Sequence, residues 1–233
     1  MVPAVRWALR TAIGRPNSEK DHGMRRREFI AGLGGAAAWP AGAHVQQEPR
    51  KVALFSGHMI DAPGREKPRF PPDKEPVAAH AIAETLTDLG VGPADLGICG
   101  GACGGDLLFA EAVLARGGRL ELYIPFDELT FLEKSVDFAN RNWRARYFAA
   151  KARAVLHFAP TELGPIRKEE DAYERNNRWM LNSALRFGAE KLDFVCLWNG
   201  EGGDGPGGTR DMMDAVENRG GRTHWLNTTK LWG

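Results

Sequence analysis

Residues 96–106 read LGICGGACGGD, an apolar strand-like run that leads directly into a glycine-rich turn. The segment after the turn, through Leu114, carries apolar residues at nearly the spacing of a helix. Glycine allows positive φ and lets backbone N–H groups approach an anion, and a helix that follows adds its positive dipole end. The stretch therefore predicts a strand, an anion-binding turn and a helix, which together form one unit of an α/β fold.

A second glycine-rich turn, residues 202–209, follows the wholly apolar run 192–198 and opens a helix-like segment that ends near Asn218. Two such turns predict a phosphate cradle and hence a nucleotide or nucleotide-derived ligand. The alternative is that the glycines only form tight turns and allow close packing of helix on strand. The predicted ligand-binding residues at these turns and at the end of the first strand are Ser56, Gly57, Gly100, Gly101, Gly104, Gly105, Gly205, Gly207, Gly208 and Thr209.

Four more strand-like runs cover residues 52–55, 119–124, 154–158 and 223–226, and helix-like segments alternate with them. Apolar strands that alternate with helices predict a mainly parallel sheet covered on both faces, in a single three-layer α/β domain spanning residues 51–232. In such sheets ligands bind at the carboxyl ends of the strands. The glycine turns and Ser56-Gly57-His58 fall at those ends, so motif and topology predict the same site.

The segment 24–47 has the pattern of a twin-arginine export signal. Arg26 and Arg27 are followed by Phe29, a weakly apolar run and the cleavage-type sequence Ala41-Gly42-Ala43. We therefore expect export to the periplasm, and the alternative is a basic tail on a cytoplasmic protein. Residues 1–23 show no clear periodicity, and we expect a disordered or non-native extension. No run reaches the roughly 18 apolar residues that span a bilayer.

Bulk composition excludes a strongly basic nucleic-acid binder, since the net charge of the 233 residues is only +1. Cys99 and Cys196 lie in apolar runs and are expected to be buried thiols, whereas Cys103 at a helix start is open to reactivity. We expect no metal site and no required cofactor beyond the nucleotide-type ligand. The oligomeric state lies beyond the sequence, and a homodimer is one state it leaves open.

Four consecutive polar residues, Glu174, Arg175, Asn176 and Asn177, begin an otherwise amphipathic helical segment. A guanidinium, two amides and a carboxylate suit recognition of a phosphate, a ribose or a base edge, and Arg175 suits a bidentate phosphate contact. The alternative is a solvated helix face. We predict that the four residues bind the ligand.

The two glycine turns resemble those of the Rossmann-like superfamily that includes the LOG phosphoribohydrolases, the DprA-type proteins and the SLOG sensor domains. The run Tyr173–Met180 looks closest to a bacterial SLOG-like group often joined to tetratricopeptide regions. The resemblance covers about residues 51–232. It implies a Rossmann-like fold that binds or senses a nucleotide.

One departure from the LOG pattern bears on catalysis. The LOG hydrolases carry P-G-G-x-G-T-x-x-E, whose glutamate serves cleavage of the N-glycosidic bond, whereas Met212 stands three residues after Thr209 here. The remaining candidates for a catalytic carboxylate are Glu174, Asp204 and Asp211. Sensing is therefore the leading expectation, and the alternatives are a nucleoside-monophosphate phosphoribohydrolase and an interaction domain with a vestigial pocket.

Overall fold

The computed structural model describes residues 47–139, 142–201 and 208–233. The predicted extension 1–23 and nearly all of the predicted export signal lie outside these ranges. The strands are β1 Val52–Gly57, β2 Leu96–Cys99, β3 Arg119–Ile124, β4 Val155–Phe158, β5 Leu192–Trp198 and β6 Arg222–Asn227. The helices are α1 Glu75–Asp88, α2 Gly105–Ala115, α3 Glu128–Ser135, α4 Trp143–Lys151, α5 Ala159–Glu162, α6 Ala172–Leu185, α7 Thr209–Glu217 and α8 Thr228–Leu231.

The strands form one six-stranded, all-parallel sheet in the order β4-β3-β2-β1-β5-β6. From β1 the chain builds outward through β2, β3 and β4, then returns to the other side of β1 to add β5 and β6. The order therefore reverses between β1 and β5, which makes their carboxyl ends the topological switch point of the sheet.

The two faces of β1 show how the sheet is covered. Ala53 and Phe55 pack into a hydrophobic cluster with α1, α2 and α4, whereas Val52 and Leu54 pack into a second cluster with α6 and α7. All four side chains are fully buried. Because successive strand residues point to opposite faces, a strand covered on both sides must be apolar throughout. The predicted three-layer, Rossmann-like α/β fold is confirmed.

The cysteines are buried, free thiols, as expected for Cys99 and Cys196. The reactivity left open for Cys103 finds no support, because burial raises the pKa of its thiol to about 12. No helix in the described ranges is long and apolar enough to cross a bilayer.

Candidate functional site

A cavity of about 300 Å³ lies at the carboxyl edge of the sheet. Ser56 and Gly57 at the end of β1, Gly100 after β2, Pro125 after β3 and Trp198 at the end of β5 all line it. The cavity thus lies at the switch point, where open α/β sheets bind their ligands.

The cavity collects some of the residues singled out in the sequence and not others. Those lining it are Ser56, Gly57, Gly100, Glu174, Asn176, Asn177, Gly208 and Thr209. Those described but absent from the lining are Gly101, Gly104, Gly105, Arg175 and Asp211. Asp204, Gly205 and Gly207 lie outside the described residues.

The backbone N–H groups of the first glycine turn are largely engaged within the protein. The Ala102 N–H donates to Asp106 Oδ2 at 3.2 Å, and the Gly105 N–H donates to the His58 carbonyl at 3.1 Å. The Asp106 carboxyl thus accepts a turn N–H group that a phosphate was expected to bind. The packing alternative therefore describes this turn better than the phosphate cradle does.

Gly104 shows why this turn needs glycine. Its φ is +91°, and a Cβ on it would stand 2.5 Å from the backbone nitrogen of Ile60. Met59 forms an isolated antiparallel bridge with Gly104, so the segment after β1 lies directly against the turn. Gly101, also at positive φ (+75°), has Leu122 side-chain atoms 3.6 Å from its Cβ position. Gly104 thus serves close packing, whereas the contact at Gly101 is of ordinary length and its positive φ alone accounts for a glycine there.

The second turn ends differently. Gly208 is the N-cap residue of α7, and Gly208 and Thr209 both line the cavity. Because glycine has no side chain to cap the helix, the first N–H groups of α7 and its positive dipole end are presented beside the cavity. The second turn therefore keeps its suitability for an anion.

The start of α6 brings two carboxylates to the cavity. Asp171 caps the helix by accepting the Glu174 N–H at 2.8 Å, and the Glu174 carboxylate pairs with Arg178 at 3.0 Å. Asp171 and Glu174 both line the cavity. The helix dipole and the ion pair balance their charge, and their oxygens remain suited to accept hydroxyl protons.

Arg175, predicted to contact a phosphate, bonds to the protein backbone instead. Its guanidinium donates to the carbonyls of Leu163 and Gly164 at 2.7 and 3.1 Å, which ties α6 to the preceding loop. The arginine that lines the cavity is Arg69, which lies in the long loop between β1 and α1. Sequence reasoning missed Arg69 because a single cation in a loop of mixed charge forms no pattern.

Asn176 is almost fully buried, with 3% of its surface exposed, and it lines the cavity. Its Nδ2 donates to the Tyr123 carbonyl at 2.8 Å, which fixes the orientation of the amide. Its Oδ1 is buried and has no hydrogen-bond partner among the described residues. An unsatisfied buried acceptor costs about 1–3 kcal/mol, so a donor bonded to this oxygen would stabilise the site.

Asp106 is a second cavity residue that sequence reasoning missed as functional. Burial raises the pKa of its carboxyl to about 7, and the hydrogen bond from the Ala102 N–H offsets this only in part. A position just after a glycine turn is typical of a helix cap, yet the N-cap of α2 is Gly104. Near neutral pH the carboxyl is therefore present in both forms and can donate or accept a proton.

The carboxylates predicted for catalysis are not placed alike. Glu174 lines the cavity, whereas Asp211 is exposed and outside its lining. Met212 occupies the position of the LOG glutamate, and its side chain is buried with Val216 in the α6–α7 hydrophobic cluster. A carboxylate at position 212 would meet an apolar environment. Among the described residues, the carboxyls that line the cavity are thus those of Asp106, Asp171 and Glu174.

The fold and the cavity define a Rossmann-like α/β domain with a ligand cavity at its switch point. No family model matches the chain, and no match is found among curated protein sequences.

Similar solved structures include DNA processing protein A (DprA) from Streptococcus pneumoniae, at 14% identity and a TM-score of 0.40, with 76% of this chain and 50% of that chain covered. The protein TM1055 is 15% identical at a TM-score of 0.32, covering 62% and 60% of the two chains. The Moco carrier protein from Chlamydomonas reinhardtii is 11% identical at a TM-score of 0.31, with 78% of this chain and 97% of that chain covered. The chain spans about half the length of the DprA structure. At these scores the assignment of fold rests on the chain's own sheet order.

Proposed function

We propose that the cavity binds a nucleotide or nucleotide-derived ligand and that the protein acts as a binding or sensing module, like the SLOG and LOG-type domains its sequence resembles. The observation that carries this proposal is the position of the cavity, at the switch point and against the start of α7. Its volume of about 300 Å³ is at the small end of ligand sites, which favours a mononucleotide over a dinucleotide.

The phosphate belongs at the α7 end of the cavity. Gly208 and Thr209 bring the positive end of the helix dipole and a hydroxyl, and Arg69 brings a guanidinium to the same cavity. Backbone N–H groups and a cation are the groups that bind phosphate in proteins. Asp171 and Glu174, at the start of α6, suit the hydroxyls of a ribose, since carboxylates accept from such hydroxyls in nucleotide sites.

Calorimetry on the purified chain with adenosine, guanosine and cytidine monophosphates tests this proposal. We expect at least one to bind, and Arg69→Gln or Thr209→Val to weaken that binding about tenfold or more through the lost phosphate contact. Arg167→Gln is the matched control, because Arg167 is exposed and outside the cavity lining. A folded chain that binds none of the three would instead favour an interaction domain with a vestigial pocket.

A second candidate function is cleavage of the N-glycosidic bond of the bound nucleotide, and the partly buried carboxyl of Asp106, which lines the cavity, favours it. A group with a pKa of about 7 is suited to general acid catalysis at neutral pH. Asp106 would give its proton to the departing base nitrogen as the bond to the sugar carbon breaks. Water would form the new bond to that carbon and give a proton to Glu174, leaving free base and ribose phosphate.

Chromatographic detection of free base separates this activity from binding alone. Release of base that Asp106→Asn and Glu174→Gln each reduce about 100-fold or more would establish hydrolysis, because general acid–base groups contribute 10²–10⁴-fold. Tight binding with no base released above the uncatalysed rate would leave sensing as the function.

We further propose that the chain is exported through its twin-arginine segment. The proposal rests on Arg26, Arg27 and the cleavage-type sequence 41–43. Changing both arginines to lysine should retain the protein in the cytoplasm in cell fractionation. An unaltered chain found in the cytoplasm with its N-terminus intact would overturn it.

A further inference from the structure

We infer that Asn176 recognises an amino group on the base of the ligand and thereby orients the nucleotide, with its base at the β3 end of the cavity and its phosphate at the α7 end. The inference rests on the proposed nucleotide binding. It adds the chemical class of base that the site selects.

The Asn176 side chain has one hydrogen-bonding atom, Oδ1, that is not engaged by the described residues. Its Nδ2 is committed to the Tyr123 carbonyl at 2.8 Å, so the amide cannot turn over without setting two acceptor oxygens against each other. Its buried Oδ1, without a partner in the described part of the chain, can only accept. A phosphate oxygen at this point would be repelled, whereas an N–H donor would satisfy the site.

The neighbouring lining favours a base as the carrier of that donor. Pro125, Phe131 and Met180 line the same cavity, and Met180 lies one helical turn after Asn176 on α6. Phe131 and Met180 are almost fully buried. Apolar side chains beside a single acceptor suit a flat aromatic ring with an amino group at its edge, which is the chemistry of adenine, guanine and cytosine.

The sheet order separates Asn176 from the phosphate end. Asn176 is anchored to Tyr123 in β3, whereas α7 follows β5, and the strands between them run in the order β3-β2-β1-β5. Three steps of about 4.8 Å place the ends of β3 and β5 roughly 14 Å apart. A nucleoside monophosphate carries its anion at one end and its base amine at the other, so one molecule can meet both groups.

Three pairs of nucleotides test the inference on the unaltered chain, since each pair differs at one exocyclic amino group. The pairs are adenosine and purine riboside monophosphates, guanosine and inosine monophosphates, and cytidine and uridine monophosphates. In calorimetry we expect the amino member of at least one pair to bind about tenfold or more tightly than its partner. Equal binding within every pair overturns the inference and leaves nucleotide binding intact, whereas no binding by any of the six defeats the proposed function itself.

Substitution at Asn176 assigns the preference to this residue. Asn176→Leu should reduce the amine preference to less than twofold, while Asn182→Leu, the same change at an exposed position of α6, should retain it. If Asn176→Leu does not fold, Asn176→Asp takes its place. Its protonated carboxyl keeps an acceptor and a donor in the same positions, so the amine preference should persist. A preference that survives Asn176→Leu, or is lost in a folded Asn176→Asp, contradicts the assignment.

Discussion

Asp193 is fully buried and Asp106 is partly buried, yet the pKa values of their carboxyls shift in opposite directions, and their partners explain the difference. Burial alone would raise the pKa of Asp193, but hydrogen bonds from His224 and Arg222 hold that pKa well below its ordinary value. Asp106 accepts from the Ala102 N–H, and burial raises its pKa to about 7. A carboxyl shielded from water without a cation beside it has a raised pKa, and the one beside the cavity is of this kind.

Asp106 should therefore make the protein less stable as pH rises. A folded-state pKa raised to about 7 from 3.8 means that the folded chain binds this proton more tightly than the unfolded chain does. The Asp106 carboxyl therefore contributes roughly 4 kcal/mol to the free energy of unfolding below about pH 4. This contribution is lost as pH rises through about 7. Urea unfolding of Asp106→Asn and of the unaltered chain at pH 5 and pH 8 measures it.

Between pH 5 and pH 8 the free energy of unfolding of Asp106→Asn should rise relative to that of the unaltered chain by about 2–3 kcal/mol, a little over half of the full effect. The difference between the chains isolates Asp106, because Asp193 contributes to both profiles with the opposite sign. Parallel profiles would show that the Asp106 carboxyl is ionised in the folded protein.

The two glycine turns have similar composition, but different elements surround them. The first turn is pressed against the segment after β1, where Gly105 donates to the His58 carbonyl and Gly104 faces the backbone of Ile60. At the second turn, Gly208 and Thr209 border the cavity at the start of α7. The first turn therefore packs closely against the segment after β1, and Gly208 and Thr209 of the second place the start of α7 beside the cavity.

Gly104→Ala should consequently cost folding stability rather than ligand affinity alone. Positive φ costs a non-glycine residue about 1–2 kcal/mol, and at Gly104 the added Cβ also meets the Ile60 nitrogen at 2.5 Å. Gly64→Ala is the control, because its φ is +80° and nothing lies within 4 Å of the added carbon. Urea unfolding should show at least twice the loss for Gly104→Ala, and equal losses would remove close packing as the reason for this glycine.

The end of the described chain supports the cavity from far away in sequence. Trp232 stacks on Phe70 at 5.4 Å between ring centroids, and its Nε1 donates to the Arg69 carbonyl at 3.2 Å. Lys74 donates to the Trp232 carbonyl at 3.0 Å, while Asp61 Oδ2 accepts the N–H groups of Arg69 and Phe70 at 2.9 Å. The loop that brings Arg69 to the cavity is thus held by Trp232, the residue after α8, as well as by its own residues.

Trp232→Ala should release this loop and weaken nucleotide binding. Loss of the aromatic contact and one hydrogen bond removes about 2–3 kcal/mol of local stability, so the Arg69 and Phe70 amides should exchange with solvent at least tenfold faster. Hydrogen exchange and calorimetry with the nucleotide that binds measure the two effects. Trp232→Phe, which keeps the stacking, should give intermediate exchange rates, and unchanged exchange in Trp232→Ala would show that Trp232 does not support this loop.

The sequence by itself determined the strands, the parallel sheet and the edge on which the cavity lies. Short apolar runs such as 96–99 and 192–198 predict buried strands, because the pattern lies within a few consecutive residues of the sequence. The carboxyl ends of parallel strands share one edge, so the place of Ser56 and Gly100 beside a common site followed from strand order alone.

Only the tertiary structure decided which residues of the two glycine turns line the cavity, which arginine reaches it and which buried polar atoms lack a partner. These properties arise between residues far apart in the chain: Gly104 meets Ile60, Arg175 meets Leu163, and Asn176 meets Tyr123. A local pattern records the type of each side chain but not what packs against it. Burial and hydrogen-bond satisfaction depend on that packing, so they are set when the layers assemble.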